Sequence, residues 1–215
     1  FPSGQLMTSG SPGVSVSALQ EMGVEASSKD VEALGAYLTL LDKWNAVYNI
    51  TSVTPKSKWV STHLYDSCSI ISLLPEGSLL DIGTGGGFPG LPIAILQPQR
   101  EVFLLDRSHK KTAFLRQAII ELGIKNVTVE TTRIERYQPT ARFSVIVSRA
   151  FSELRLFVQM ASKFCKPDGV LVAMKGQYPA AELEGIPAAL VRKITRLQVP
   201  QLGAERHAVE LSPDV

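Results

Sequence analysis

The chain is poor in cysteine and has no long apolar run. Its two cysteines, Cys68 and Cys165, stand far apart without the short spacings of metal sites, which excludes a disulfide framework and a thiolate metal centre and fits reduced thiols in a cytoplasmic protein. No apolar stretch approaches the ~20 residues of a membrane span, and the N-terminal residues lack the charged and apolar blocks of a signal peptide. Neither a membrane partner nor export is expected. Excess charge of one sign is also missing: 22 Lys and Arg against 20 Asp and Glu give a net charge of +2, too small to argue for nucleic acid from the total. Internal repeats are absent too. What is present is 215 residues with 45% hydrophobic content, enough for one substantial core and a small accessory segment.

The most informative stretch is Leu79-Leu80-Asp81-Ile82-Gly83-Thr84-Gly85-Gly86-Gly87-Phe88-Pro89-Gly90. An apolar strand ends in a glycine turn, and a proline stands where a helix should start. Glycines let the turn reach positive φ and bring backbone within contact distance of a ligand; proline suits a first helical turn because its missing N–H would be unpaired there. Gly85, Gly87 and Gly90 also satisfy the dinucleotide fingerprint, which alone is a weak signal. A cradle for pyrophosphate should offer free N–H groups and little negative charge. Here Pro89 deletes a donor and Asp81 adds an anion. A cofactor with no phosphate and a cationic amino-acid end, S-adenosylmethionine, fits better. Asp106 closes the strand that follows, about 20 residues beyond the glycines, where a βαβ unit delivers a carboxylate to ribose hydroxyls. It could equally cap the next helix, as could Ser108.

Around these motifs the chain divides into three parts. Residues 1–28 are rich in Ser, Gly and Pro in their first half and read as a mobile arm. Residues 29–76 read as a helical cap: Val31, Leu34, Leu38 and Leu41, with Tyr37, Trp44 and Tyr48, recur at helical spacing, and a second helix is expected over 56–74, stopped by Pro75. From residue 77 to 215, strands near 79–82, 101–105, 126–130, 143–148 and 169–174 alternate with helices near 89–97, 108–122 and 152–165. The alternation predicts an α/β, Rossmann-like, mostly parallel twisted sheet with helices on both faces. Two further strands, 193–199 and 206–211, should form a hairpin at its edge. In such a sheet the strands' carboxyl ends share one edge with the adjoining loops, so several of Arg107, His109, Lys110, Lys111, Arg116, Arg133, Arg136, Arg142 and Arg149 should ring the ligand crevice.

Six ordered matches carry a family resemblance: Trp44-Asn45 with Tyr48-Asn49-Ile50-Thr51; His63-Leu64 with Asp66-Ser67; Asp81 to Gly90; Asp106 with Lys110-Lys111 and Phe114-Leu115; Ser148-Arg149-Ala150-Phe151; and Lys175-Gly176 with Arg206-His207. In these the chain resembles the bacterial small-subunit ribosomal RNA guanine-N7 methyltransferases, also called the glucose-inhibited division protein B family, within the class I S-adenosylmethionine-dependent methyltransferases. The resemblance spans about residues 34–211. It implies transfer of a methyl group to N7 of one guanine in 16S rRNA, with the rRNA or the small ribosomal subunit as partner; a methyltransferase of a protein or small molecule on the same fold is the alternative, and a monomer is expected. It further implies cofactor contacts at Gly83, Phe88, Ile134, Glu135 and Arg149, with Asp81, Gly85, Gly87 and Asp106 in support. Glu135 could instead be a surface acid paired with Arg133 or Arg136. Two positions depart from the family: Ser144 follows Phe143 where an acid is common, and Thr62 precedes His63 where a basic residue is common.

Guanine N7 carries an exposed lone pair and has no proton to lose, so direct in-line attack on the sulfonium methyl needs no general base, and positioning carries the reaction. His63, His109 and His207 are accordingly not expected to act as bases. Arg149, Lys175 and Arg206 are the positioning candidates, reaching O6 or phosphate while N7 stays free. Phe151 is either a stacking surface or one more core aromatic.

Overall fold

The structure is a computed structural model and describes residues 13–214. Seven strands form one sheet: β1 (Leu79–Ile82), β2 (Val102–Asp106), β3 (Val127–Thr131), β4 (Phe143–Ser148), β5 (Cys165–Lys175), β6 (Val191–Arg196) and β7 (His207–Leu211), in the order β3-β2-β1-β4-β5-β7-β6. The first five run parallel, and β7 pairs antiparallel with both β5 and β6. The expected edge hairpin is therefore present, with β7 as its inner strand.

Side chains alternate across the sheet with the period of two that strands impose. Leu79, Val145 and Val147 belong to one hydrophobic cluster, Leu80, Ile82 and Ile146 to the other. The first cluster is covered by α1 (Val16–Glu21), α2 (Ser28–Tyr48), α4 (Gly90–Leu96) and α5 (His109–Leu122); the second by α6 (Leu154–Ala161). Chain order reverses between β1 and β4, so their carboxyl ends open a crevice at the sheet's switch point, where ligands of such folds bind.

The cap is fused to this core. In α2, Leu34, Tyr37 and Leu41 are fully buried at spacings of three and four, and Ser27 with Asp30 forms a reciprocal capping box at its start. Its end is set by Asn49 in the left-handed conformation, φ 50°. The expected second helix over 56–74 is broken into a 3-10 turn at Lys56–Lys58, a π-helical segment at Val60–Tyr65, the short α3 (Asp66–Cys68) and a further 3-10 turn at Ile71–Leu73. The cause is polar: Ser67 Oγ donates to His63 O, and Ser69 Oγ donates to Asp66 O at 2.7 Å. Hydroxyls bonding back to nearby carbonyls compete with the helical ladder, and π segments concentrate at functional sites.

Of the arm expected over 1–28, residues 1–12 lie outside the described residues. The remainder is packed, because Ser15 caps α1 and Leu19 and Val24 are buried in the first cluster. The Ser15 amide also donates to the Tyr65 hydroxyl at 3.1 Å. Among the described residues no helix is long and apolar enough to cross a membrane. Both cysteines are free and buried; burial pushes the Cys68 thiol up to about 12 and the Cys165 thiol to about 11, so neither is poised as a nucleophile.

Candidate active site

The glycine turn hangs from β2. Gly83 N and Thr84 N both donate to Leu105 O, at 2.8 and 3.1 Å, and Gly83 has φ +70°. A Cβ there would lie 2.6 Å from the Ala150 Cβ, so only glycine lets the β1 and β4 loops approach this closely. Beneath the turn Asp81 is fully buried, and its Oδ2 accepts from Thr84 Oγ1 at 2.7 Å and Gly90 N at 2.8 Å. Burial lifts its pKa to about 6, against the lowering effect of those two donors and of Arg149. Asp81 lines neither hollow described below. It braces the turn instead of presenting a carboxylate to a ligand, which corrects its expected role as a contact. Gly87 is buried behind the turn as well: a Cβ would meet the Tyr37 hydroxyl at 2.5 Å and Leu115 at 2.7 Å. Tyr37 closes the arrangement by donating to Gly86 O.

Two hollows flank the turn and share Gly83 and Ala150. The larger, about 700 Å³, lies over the ends of β1, β2 and β3. It is lined by Asn49, Ile82, Asp106 and Phe151, by Ile134 and Glu135 of the turn after β3, and by Arg107, Lys110, Lys111 and Arg133. Asp106 is held by backbone and faces the hollow: Oδ1 accepts from Ser108 N and Oδ2 from Gly85 N, each at 2.8 Å, and the residue lines the opening. Ser108 caps α5 by position but makes no side-chain cap bond. Glu135 is exposed and has no ion-pair partner among the described residues, so the alternative pairing with Arg133 or Arg136 is not formed.

The smaller hollow, about 330 Å³, is lined by Ile50, Thr51, Val53, Thr62, His63, Gly83 to Gly86, Phe88, Arg149 and Ala150. His63 stacks on Phe88 with ring centroids 4.4 Å apart and planes 8° apart, and Arg149 lies over the other ring system at 5.7 Å from the Phe88 centroid. Burial and the neighbouring Arg149 charge push the His63 pKa down to about 3, so the imidazole is neutral. Its Nε2 lies 3.0 Å from Thr51 Oγ1.

Arg149 is held by Asp66. Its Nη1 donates to Asp66 Oδ2 at 2.9 Å and to Thr62 O at 3.1 Å, while Arg206 Nε donates to Asp66 Oδ1 at 3.1 Å. One buried carboxylate in the cap thus orients two arginines from the core, a role the His63 to Ser67 motif displayed without revealing. Ser148 fixes the loop that carries Arg149: Oγ donates to Ile82 O at 2.7 Å and accepts from Ala150 N at 3.0 Å. Lys175 is engaged elsewhere, with Glu182 at 2.7 Å and with the carbonyls of Phe151 and Ser152, so it supports the loop behind the hollows and lines neither. His207 bonds Gly176 O through Nδ1 at 3.2 Å and is structural. Phe151 lines the larger hollow and also packs on Phe157 at 5.3 Å.

Not every base expected at the crevice reaches it. Arg116 is turned to Val129 O and Thr131, and Arg136 and Arg142 border a separate hollow near the amino end of β4. Ser144, the departure from the family pattern, sits at that same amino end, where it accepts from Lys166 Nζ at 3.1 Å; a missing acid there takes nothing from the crevice.

The family model described as "rRNA small subunit methyltransferase G" matches residues 30–209. The chain belongs to that family. It is a methyltransferase, and its methyl donor is S-adenosylmethionine. Ribosomal RNA small subunit methyltransferase G of Nitrosococcus oceani is 46% identical over 193 residues, 89% of this chain and 90% of that protein. The protein of the same name from Chromobacterium violaceum is 47% identical over 195 residues, 90% of this chain and 93% of that protein. Among solved structures, a SAM-dependent methyltransferase from Aquifex aeolicus superposes with a TM-score of 0.55 at 20% identity, covering 77% of this chain and 97% of that one, a likeness of fold.

Proposed function

We propose that the chain methylates N7 of one guanine in 16S rRNA, taking the cofactor in the larger hollow and the target base in the smaller. The relatives' names support rRNA of the small subunit as substrate. The observation that carries the finer reading is what the smaller hollow lacks: its lining contains no carboxylate, and its one imidazole is locked neutral with a pKa near 3. No group there is a strong base at neutral pH. A nucleophile that must lose a proton before attack would find no base, whereas guanine N7 needs none.

The larger hollow fits the cofactor. Its volume lies in the range of small-molecule sites. Gly83 borders it, and its φ of +70° leaves the turn without a side chain on that wall. Asp106 offers carboxylate lone pairs to ribose hydroxyls, and Ile134 and Glu135 flank the position for adenine. When bound, S-adenosylmethionine supplies an electrophilic methyl on a sulfonium. The protein's own residues position: Gly83 and Ala150 define the neck between the hollows, Phe88 and Arg149, expected as cofactor contacts, stand on the smaller hollow's side, and Arg149, held by Asp66 and Thr62, keeps donors for O6 or phosphate. Methyl transfer leaves the guanine more cationic, so Arg149 serves orientation and not charge stabilisation.

The test is incubation with methyl-labelled S-adenosylmethionine and 30S subunits or 16S rRNA from cells lacking the gene. Label at a single guanine, released by the mild cleavage that N7 methylation permits, is the expected result. Label at another atom or on protein overturns the N7 reading.

A further inference from the structure

Beside Asn49, which lines the larger hollow, stands an aromatic that belongs to neither hydrophobic cluster and lines neither hollow. Among the described residues few large hydrophobics are exposed, and two of them are neighbours at the end of α2: Val47 at 73% and Tyr48 at 48%. Isolated exposed apolar residues are ordinary. The setting of Tyr48 is not.

Trp44 packs on Phe114 of α5 with centroids 5.8 Å apart, and on Tyr48 at 5.2 Å. The Trp44 and Phe114 contact fixes how α2 lies on α5. On α5, Lys110 and Lys111 precede Phe114 by four and three positions, so they stand on the same side one turn nearer the hollow, which both of them line. On α2, Tyr48 follows Trp44 by four positions, one turn nearer Asn49, which also lines the hollow. The two helices therefore set Tyr48 on the end of α2 that carries Asn49, and the lysine pair on the end of α5 that lines the same hollow. Lys110 and Lys111 have no ion-pair partner among the described residues, nor do Arg107 and Arg133 across the opening. Of the two acids in the lining, Asp106 is already engaged by backbone amides. The mouth is cationic with an aromatic ring at its edge, the pairing by which proteins hold single-stranded nucleic acid: rings stack on bases and cations follow the phosphates.

We propose that Tyr48 is a stacking shelf for an unpaired nucleobase next to the target nucleotide, with Lys110 and Lys111 holding the phosphates between the two. This rests on the rRNA reading of the site and gives the α2 end a part in recognition.

The full chain and its Tyr48→Ala and Tyr48→Phe variants are assayed for methyl transfer to 16S rRNA or 30S subunits, with thermal melts and cofactor affinity as controls. Tyr48→Ala should raise KM for RNA by roughly 5- to 150-fold, the range supplied by stacking one base, with kcat, cofactor affinity and melting temperature near those of the parent. Tyr48→Phe should behave as the parent. Lys110→Ala or Lys111→Ala should each lower the slope of log affinity against log salt by about 1. An unchanged KM in Tyr48→Ala overturns the shelf while labelled RNA keeps the rRNA reading. Equal losses in Tyr48→Phe overturn stacking in favour of a hydroxyl contact. Failure of the parent chain to label RNA overturns both.

Discussion

On one side of the Gly83 and Ala150 neck the lining is charged and open, with Asp106, Glu135 and four cations around about 700 Å³; on the other it is aromatic and largely neutral, with His63, Phe88 and a single arginine around about 330 Å³. The first side meets a ligand with carboxylates and backbone, which suits a cofactor of fixed structure bearing hydroxyls and a cation. The second meets it with flat faces and a tethered guanidinium, which suits a planar base whose nucleophile is already unprotonated. The charged lining thus gathers on one side of the neck and the aromatic lining on the other.

The comparison breaks most directly at Gly85. Gly85→Val puts a branched side chain at φ +60° into the space above the turn, and should weaken cofactor binding by at least roughly 100-fold, about 2.7 kcal/mol, by strain and occlusion together. Calorimetric titration measures this, and retained affinity with an intact melt would show that the cofactor does not lean on the glycine turn. Next comes the aromatic side: Arg149→Ala should lower kcat/KM for RNA by about 2 to 3 kcal/mol, the loss for one partner of a buried charged pair. Its melting temperature should fall by only about 2–4 °C, because Asp66 keeps Arg206. Parallel collapse of both quantities would make Arg149 structural.

Much of this was legible in the chain. The strand, glycine turn and helix over Asp81 to Gly90 announce themselves because few residues tolerate positive φ beside a buried strand, and Asp106 follows at the distance a βαβ unit dictates. Less legible was direction. Asp81 reads as a ligand contact until its burial shows Oδ2 spent on Thr84 and Gly90. Lys175 and Arg206 read as a pair, yet Lys175 pairs with Glu182 and Arg206 with Asp66. Asp66 lies 83 and 140 positions from its partners, a separation no local pattern encodes. The helix expected over 56–74 gave no sign of it, and the breaks appear only in the fold.

The smallest effect sharpens the contrast through pH. His63 has a pKa of about 3 in the fold against 6.5 in its absence, so its share of stability is complete above pH 6.5 and is lost as pH falls toward 3. Asp81 runs the other way: at about 6 in the fold against 3.8, its share is complete below pH 3.8 and is lost as pH rises through 6. Between these limits the two slopes oppose each other. Asp81→Asn removes one of them, so its melting temperature should fall more steeply than the parent's between pH 6 and pH 4. Parallel pH profiles from scanning calorimetry would show that Asp81 is not the opposing group.

The Tyr37 bond to Gly86 O ties α2 to the turn that borders both hollows. Because that bond crosses from cap to core, occupancy of the turn and seating of the cap are thermodynamically linked: a ligand that binds only the seated form favours it by the logarithm of its saturation. A ligand that binds the turn is in this sense also a ligand of the α2 packing.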